Sequence, residues 1–223
     1  IHETNCFVRH CKVQPNQIIP FNVIVNSPDK NILENCDIIM LGGSGDYSIV
    51  GNNIPWYNPL ADFMCEAIDK NVPIFGSCMG IQVIANALGG EVILDNKHRE
   101  VGTYSITLNE EGHQDPLFSK LPKTFLAQMG HKCRVSILPE DAVSLASSDL
   151  CPVHAFKLKN KMVYATQFHP ELNYHDNVKR LKYYYQNYHH ASQEESLEEM
   201  LMKFKEDDTN STLLSDFIKL VTG

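Results

Sequence analysis

Residues 72–82, VPIFGSCMGIQ, join an apolar run to Gly-Ser-Cys-Met-Gly and then to a helix-forming stretch. A tight strand-to-helix turn around a nucleophile requires small flanking residues, because the chain reverses direction with little room for side chains. Such an elbow would present Cys78 above the strand end, with the N-terminus of the next helix directed at its sulfur. The partial positive charge there favours thiolate, and the Met79 N–H would face a developing oxyanion. A buried structural cysteine between two glycines is the alternative. Residues 164–171, YATQFHPE, read as a strand ending in His169, Pro170 and Glu171. Residues i and i+2 of an extended chain share one side, so Glu171 can sit beside His169. A thiol nucleophile needs a base for its proton and a third group to orient that base. Cys78, His169 and Glu171 supply all three. Residues 41–46, LGGSGD, place glycines at another strand end, where backbone N–H groups can meet an anion or a substrate. A plain tight turn explains that segment equally well.

The elements that must hold these groups are short. Residues 36–41 and 72–75 are apolar runs closed by glycine, which suits parallel strands buried on both faces. Residues 18–25 read as a first strand interrupted by Pro20. Leu60, Phe63, Met64, Ala67 and Ile68 follow helical spacing and predict a helix over 58–69. A second helix is predicted over 81–88, stopped by Gly89 and Gly90. Strands are predicted at 103–108, 125–129, 144–146, 154–158 and 162–168, with a connecting turn at 115–121. This order predicts an α/β domain with extra antiparallel strands late in the chain. From Asp176 onward three apolar stripes predict helices that cover the sheet, with docking of a partner by one of them as the alternative: Val178, Leu181, Tyr185 and Tyr188; Leu197, Met200, Leu201 and Phe204; Leu213, Leu214, Phe217, Ile218 and Val221. Acidic patches between them read as solvated faces.

Composition removes several classes of function. The chain has 223 residues, 43% hydrophobic and 21% charged, which is ordinary for one globular domain. Lys plus Arg is 19 against 27 Asp plus Glu, a net charge of −8. No dense basic tract offers nucleic acid a footprint. No apolar run is long enough to span a membrane, and the N-terminus lacks the zones of a signal peptide. The 7 cysteines are irregularly spaced, without a CxxC pair. That argues against a structural zinc site and for buried thiols in a reducing cytoplasm. There is no Walker loop, no GxGxxG and no HExxH, so neither a nucleotide cofactor nor a metal is expected. The adjacent His189 and His190 have poor ligand geometry on a helix.

Together, the three segments resemble the class I glutamine amidotransferases, a family with a Cys-His-Glu triad, and they occur in that family's order between Asp37 and Glu171. GSCMGIQ fits the family's G-x-C-x-G-x-Q signature, QFHPE its histidine–glutamate signature and GGSGD its oxyanion-strand turn. Arg99, Glu100, Val101 and Gly102 are similar to the R-E-x-G segment of the GMP synthase type. Met129, Gly130, His131, Lys132 and Cys133 stand where that type has M-S-H-G-D. The stretch LASSDLCPVHAF followed by QFHPE looks like the stand-alone, GMP synthase-like branch.

The resemblance implies an α/β, flavodoxin-like fold with a central, mostly parallel sheet and helices on both faces. It implies an amidotransferase domain over residues 1–190 and a helical extension over 191–223 packed on the same domain. The family opens with a full parallel strand, of which Ile1, His2 and Glu3 would be at most the last residues, so further residues are expected in front. Cys78 would attack the γ-amide of L-glutamine or another γ-glutamyl carbonyl. His169 would move the proton and Glu171 would orient His169. Gly43 and Met79 would donate backbone N–H groups to the oxyanion. Gln82, Gly45, Gly130, Lys132 and Cys133 would line the substrate pocket, with the glycine-to-lysine and aspartate-to-cysteine changes beside it. No cofactor is implied. Ammonia would pass to a separate synthase chain or be released. The same triad also suits a γ-glutamyl peptidase or hydrolase, and the same fold could serve a non-catalytic binding module. Neither nucleic acid nor membrane is an expected partner.

Overall fold

The structure, a computed structural model, describes residues 2–45, 47–51, 54–189 and 195–223, and the side chains of 186–189 are outside the description. The described elements run α1 (His2–Cys11), α2 (Asn31–Glu34), β1 (Ile39–Leu41), α3 (Tyr57–Asp69), β2 (Ile74–Ser77), α4 (Met79–Ala87), β3 (Glu91–Leu94), β4 (Glu100–Leu108), α5 (Glu110–Gln114), β5 (Thr124–His131), β6 (Cys133–Ile137), β7 (Ala142–Ser147), β8 (Ala155–Leu158), β9 (Val163–Thr166), α6 (Tyr174–His189), α7 (Leu197–Leu201) and α8 (Leu213–Thr222).

Seven strands form one sheet in the order β1-β2-β9-β8-β7-β4-β5. β1, β2 and β9 pair in parallel, and every other pairing in that sheet is antiparallel. The sheet is therefore mixed. Its parallel part is the three-strand portion that carries the site. The antiparallel strands expected late in the chain form the rest, joined by β4 and β5.

Alternation along β2 explains why helices lie on both faces. Ile74 packs into a core with Leu60, Met64, Ile81 and Ile84 from α3 and α4. Its neighbour Phe75 points the other way, into a core with Phe7 of α1 and Leu214 and Phe217 of α8. The Phe75 and Phe217 rings meet at 5.3 Å between centroids, and Phe217 also meets Tyr164 at 5.9 Å. Those residues of α8 carry the stripe read from the sequence. Met200 and Phe204, in and after α7, make a smaller cluster with Val101 and Leu181.

Several elements differ from the sequence reading. Residues 18–25 form no strand: a 3-10 turn at Pro15–Gln17 leads into irregular chain. Pro20 has no N–H for a ladder, β1 pairs among the described residues only with β2, and Ile19 and Val25 are 81% and 73% exposed. His2 and Glu3, expected as the tail of a strand, form the first turn of α1 instead. The connection before β5 holds the short helix α5 as well as a 3-10 turn at Phe118–Lys120. β3 and β6, which were not expected, pair with each other in a separate two-stranded sheet. The expected helix over 81–88 starts at Met79, directly after Cys78. Asp46, His190 and Glu194 lie outside the described residues, as does the side chain of Tyr188. All 7 cysteines are free, and 5 of them are buried. Among the described residues no helix is long and apolar enough to cross a membrane.

Candidate active site

The turn between β2 and α4 is strained at one residue. Cys78 has φ 53° and ψ −97°, a conformation that L-residues rarely adopt. Two glycines make it possible. A β-carbon on Gly76 would lie 2.8 Å from the Gly80 carbonyl carbon, and one on Gly80 would collide with the Leu41 carbonyl oxygen of β1. Strand, elbow and helix are thus packed backbone to backbone. The Cys78 N–H donates to the Thr166 carbonyl at 2.8 Å, which ties the elbow to the end of β9. Met79 is the first residue of α4, so its N–H is one of the amides that have no partner inside the helix.

The chain leaves β9 at Thr166 and enters the turn that holds His169 and Glu171. The His169 N–H donates to the Gln128 carbonyl of β5 at 2.9 Å, which fixes the turn over the sheet. His169 Nδ1 and Glu171 Oε1 are 2.6 Å apart, and the Ser77 hydroxyl donates to Glu171 Oε2 at 2.7 Å. The i, i+2 relation read from the sequence survives, although the two residues sit in a turn and not a strand. Glu171 is fully buried and His169 is 3% exposed. Burial pushes the Glu171 carboxyl up, but His169, Arg180 and Ser77 outweigh it and hold the carboxyl below its ordinary range. Burial likewise pushes His169 down, and the Glu171 carboxylate and the Cys78 sulfur within its hydrogen-bonding reach raise it to about 10. The three groups lie in series, an arrangement that can take a proton from a thiol and deliver one to a leaving group.

Cys78 and His169 open into one cavity of about 470 Å³, within the range of small-molecule sites. Gly43, Gly45, Met79 and Gln82 line it from the β1 turn and α4. Gly130, Lys132 and Cys133 line it from the junction of β5 and β6. Of the residues expected to form the triad, the oxyanion site and the substrate pocket, only Glu171 lies outside the lining, behind His169. Cys78 is 8% exposed, so it faces the cavity and is not prominent on the surface. Gln82 Nε2 donates to the Cys133 carbonyl at 2.9 Å and to Gln167 Oε1 at 3.2 Å. Gln167 Nε2 in turn lies 3.8 Å from Cys78 Sγ.

Sequence reasoning missed four contributors. Ser77 and Gln167 sit one and two residues from singled-out positions, but only the fold reveals what they touch. Glu3 and Arg180 come from α1 and α6 and carry no local signal. Glu3 Oε1 accepts the Gly43 N–H at 3.1 Å. A β-carbon built on Gly43 would lie 3.2 Å from His169 Cε1 and 3.8 Å from Cys78 Cβ, so this carboxylate reaches the backbone beside the thiol. Burial raises the Glu3 carboxyl, partly offset by Arg180. Arg180 Nη1 stands 3.7 Å from Glu3 Oε1 and 3.9 Å from Glu171 Oε1, between the two acids.

Comparison with known proteins agrees with this geometry. The family described as "Glutamine amidotransferase class-I" matches residues 7–190. The chain is 34% identical over 179 residues to a glutamine-hydrolyzing GMP synthase subunit of Methanococcus aeolicus, covering 79% of this chain and 85% of that one. Its fold matches the crystal structure of a glutamine amidotransferase from Thermotoga maritima with a TM-score of 0.69, at 20% identity over 85% of this chain and 79% of that one. The glutamine amidotransferase of Methylobacillus flagellatus matches with a TM-score of 0.67, at 22% identity over 98% of this chain and 87% of that one. With the matched region spanning the elbow, the His169 turn and the cavity between them, the chain belongs to the class I glutamine amidotransferase family and is of the GMP synthase-like type.

Proposed function

We propose that this chain hydrolyses the γ-amide of L-glutamine through a thioester on Cys78 and supplies the ammonia to a separate synthase chain. The observation that carries this reading is the strained Cys78 at the mouth of α4, facing a cavity beside a His169–Glu171 pair at 2.6 Å. The Cys78 thiolate adds to the γ-carbonyl carbon, and the oxygen takes up negative charge near the N–H groups of Gly43 and Met79. The C–N bond then breaks, and nitrogen leaves as ammonia with the proton held by His169. Water adds to the thioester as His169 takes its proton. The C–S bond breaks, which releases glutamate and restores the thiol. The synthase partner is carried over from the Methanococcus aeolicus relative, itself a GMP synthase subunit, and from the GMP synthase-like motifs.

One observation favours a second reading. Leu94, Val101, Leu181 and Phe204 give the cavity an apolar wall, and Lys132 and Cys133 replace the glycine and aspartate of the family's loop. Such a wall suits a leaving group larger than ammonia, as in a γ-glutamyl peptide. Ammonia release from L-glutamine, run beside a panel of γ-glutamyl dipeptides, separates the two. Release from glutamine with slow dipeptide cleavage is the expected result. Dipeptide cleavage with silence on glutamine would replace the amidotransferase reading by a peptidase one.

Glu3 bears on the same step. Its carboxylate occupies the Gly43 N–H that a developing oxyanion would use, so substrate has to displace it. Glu3→Ala is expected to speed acylation of Cys78 by an electrophilic glutamine analogue about two- to tenfold, the size of one net hydrogen bond. A stopped-flow comparison checks this, and an unchanged or slower rate would remove Glu3 from the oxyanion site.

A further inference from the structure

A buried acid outside the triad reaches the substrate pocket through a chain of hydrogen bonds. Glu100, the first residue of β4, is fully buried. Its Oε2 lies 2.9 Å from His131 Nε2 and 2.9 Å from His154 Nε2. Its Oε1 accepts the Ser148 hydroxyl at 2.9 Å. The carboxyl is held at about 2: burial pushes it up, and the two imidazoles more than compensate. On the far side of its ring, His131 Nδ1 lies 3.1 Å from the Cys133 carbonyl. Each nitrogen of His131 therefore faces an oxygen, one of the Glu100 carboxyl and one of the Cys133 carbonyl. The same Cys133 carbonyl accepts Gln82 Nε2 at 2.9 Å, and both Gln82 and Cys133 line the cavity.

Holding β4 to β5 does not explain the contact of this acid with His131. β4 and β5 already pair in unbroken register from Glu100↔His131 to Thr107↔Thr124. A buried charge is costly even when paired; toward Ser148 and His154 it ties down the β7–β8 connection, while toward His131 it duplicates a backbone ladder. What Glu100 adds lies beyond the end of that ladder. It fixes the His131 ring, and the ring fixes the carbonyl of the first residue of β6. Lys132, between them, is anchored separately, its carbonyl accepting the Asp95 N–H at 2.8 Å.

We infer that Glu100 and His131 are positioning residues for the substrate pocket: through the Cys133 carbonyl they orient Gln82 and the 130–133 wall, and so set affinity for the γ-glutamyl group without taking part in the chemistry. This inference rests on the amidotransferase reading of the cavity.

The test uses two substitutions that divide the histidine. The asparagine amide of His131→Asn sits near Nδ1 and keeps a donor for the Cys133 carbonyl. That of His131→Gln sits near Nε2, keeps the link to Glu100 and leaves the Cys133 carbonyl to Gln82 without the His131 donor. Acylation of Cys78 by an electrophilic glutamine analogue then gives affinity (KI) and chemistry (kinact) separately. His131→Gln is expected to weaken KI by about two- to tenfold, the size of one net hydrogen bond, with kinact nearly unchanged. His131→Asn keeps the donor and gives up only the Glu100 brace, so it is expected to weaken KI less than His131→Gln does. Equal shifts in both variants, a shift in neither, or a loss confined to kinact would overturn the inference.

A second measurement needs no variant. Acylating Cys78 in the unmutated chain should move the ring nitrogen resonances of His131 and leave those of exposed His113 in place, and an unmoved His131 would overturn the inference even if both variants failed to fold. Glu100, His131 and His154 stand close enough together to hold a metal ion, so one equivalent of tightly bound zinc in the purified chain would also overturn it. If the unmutated chain did not acylate at all, the functional reading would fail and take this one with it. Acylation with an insensitive KI would remove this one alone.

Discussion

Cys78→Ala is expected to abolish both ammonia release from glutamine and covalent labelling by an electrophilic glutamine analogue, while the chain stays folded. The first part follows from chemistry. Glutamine hydrolysis by this route passes through a bond to sulfur, and alanine leaves no atom to form it. The second part follows from packing. Alanine is smaller than cysteine, the site borders a cavity, and the φ of 53° is imposed by the backbone contacts of Gly76 and Gly80 rather than by the thiol. The substitution therefore keeps whatever strain the elbow stores. A neighbour makes the experiment discriminating. Cys133 lines the same cavity, with its sulfur 3.2 Å from the Ser48 hydroxyl and its thiol pushed up by burial. Mass spectrometry of the labelled protein should find the adduct on Cys78 alone and none in the variant. Labelling that persisted on Cys133 would move the nucleophile to the β6 side of the pocket and leave the elbow a structural feature.

The parts of the site that could be read from the sequence are those where chemistry is written in adjacent residues. Gly76, Cys78 and Gly80 announce an elbow because only small residues fit a turn of that tightness. His169 and Glu171 announce a pair because two positions of spacing bring them to one side. The apolar runs ending at Leu41 and at Phe75 gave the two strands beneath them, since a strand buried on both faces has no polar alternation to blur. Residues 18–25 misled for a related reason. A β-prone run becomes a strand only if another strand receives it, and sheet partners are not visible in one segment. β3 and β6 were missed because they are not continuous buried apolar runs: Leu94 and Ile137 at their ends are more than half exposed. Glu3, Arg180 and the Glu100–His131 pair stayed hidden because their partners are far away in sequence. Glu3 meets Gly43 across 40 residues, and Glu100 meets His131 across 31. The wall formed by Phe204 is of the same kind: the stripe it belongs to was legible, and what the stripe covers was not.

Glu171→Gln is expected to lower turnover by about 10²–10⁴-fold, the usual worth of a general acid–base group, and to move the alkaline limb of the pH profile to lower pH. The amide keeps the size of the side chain and can still meet His169 Nδ1 and the Ser77 hydroxyl, so the loss is mainly one of charge. In the unmutated chain burial favours the neutral imidazole, and the Glu171 carboxylate with the Cys78 sulfur overrides it to raise His169 to about 10. Neutral pH lies below that value, so the ring is held as imidazolium, ready to protonate departing ammonia, and loses its proton as pH rises through about 10. Without the carboxylate the largest opposing charge to burial is gone, and His169 falls. At neutral pH the ring then lacks the proton that the leaving nitrogen needs. Stability follows the same sign. The raised histidine contributes fully below its ordinary value near 6.5 and loses that contribution as pH rises through about 10, whereas the depressed Glu171 contributes above its ordinary value near 4.5 and loses it in acid. The pair therefore holds the turn over β9 most firmly between about pH 4.5 and 6.5, and the variant's thermal unfolding should depend less on pH on either side of that window, where the unmutated chain loses the contribution. Measured kcat/KM against pH, with unfolding followed in the same buffers, checks both expectations. Near-normal turnover, or an alkaline limb that does not move, would reduce Glu171 to a packing residue and leave His169 to be oriented by its backbone bond to Gln128.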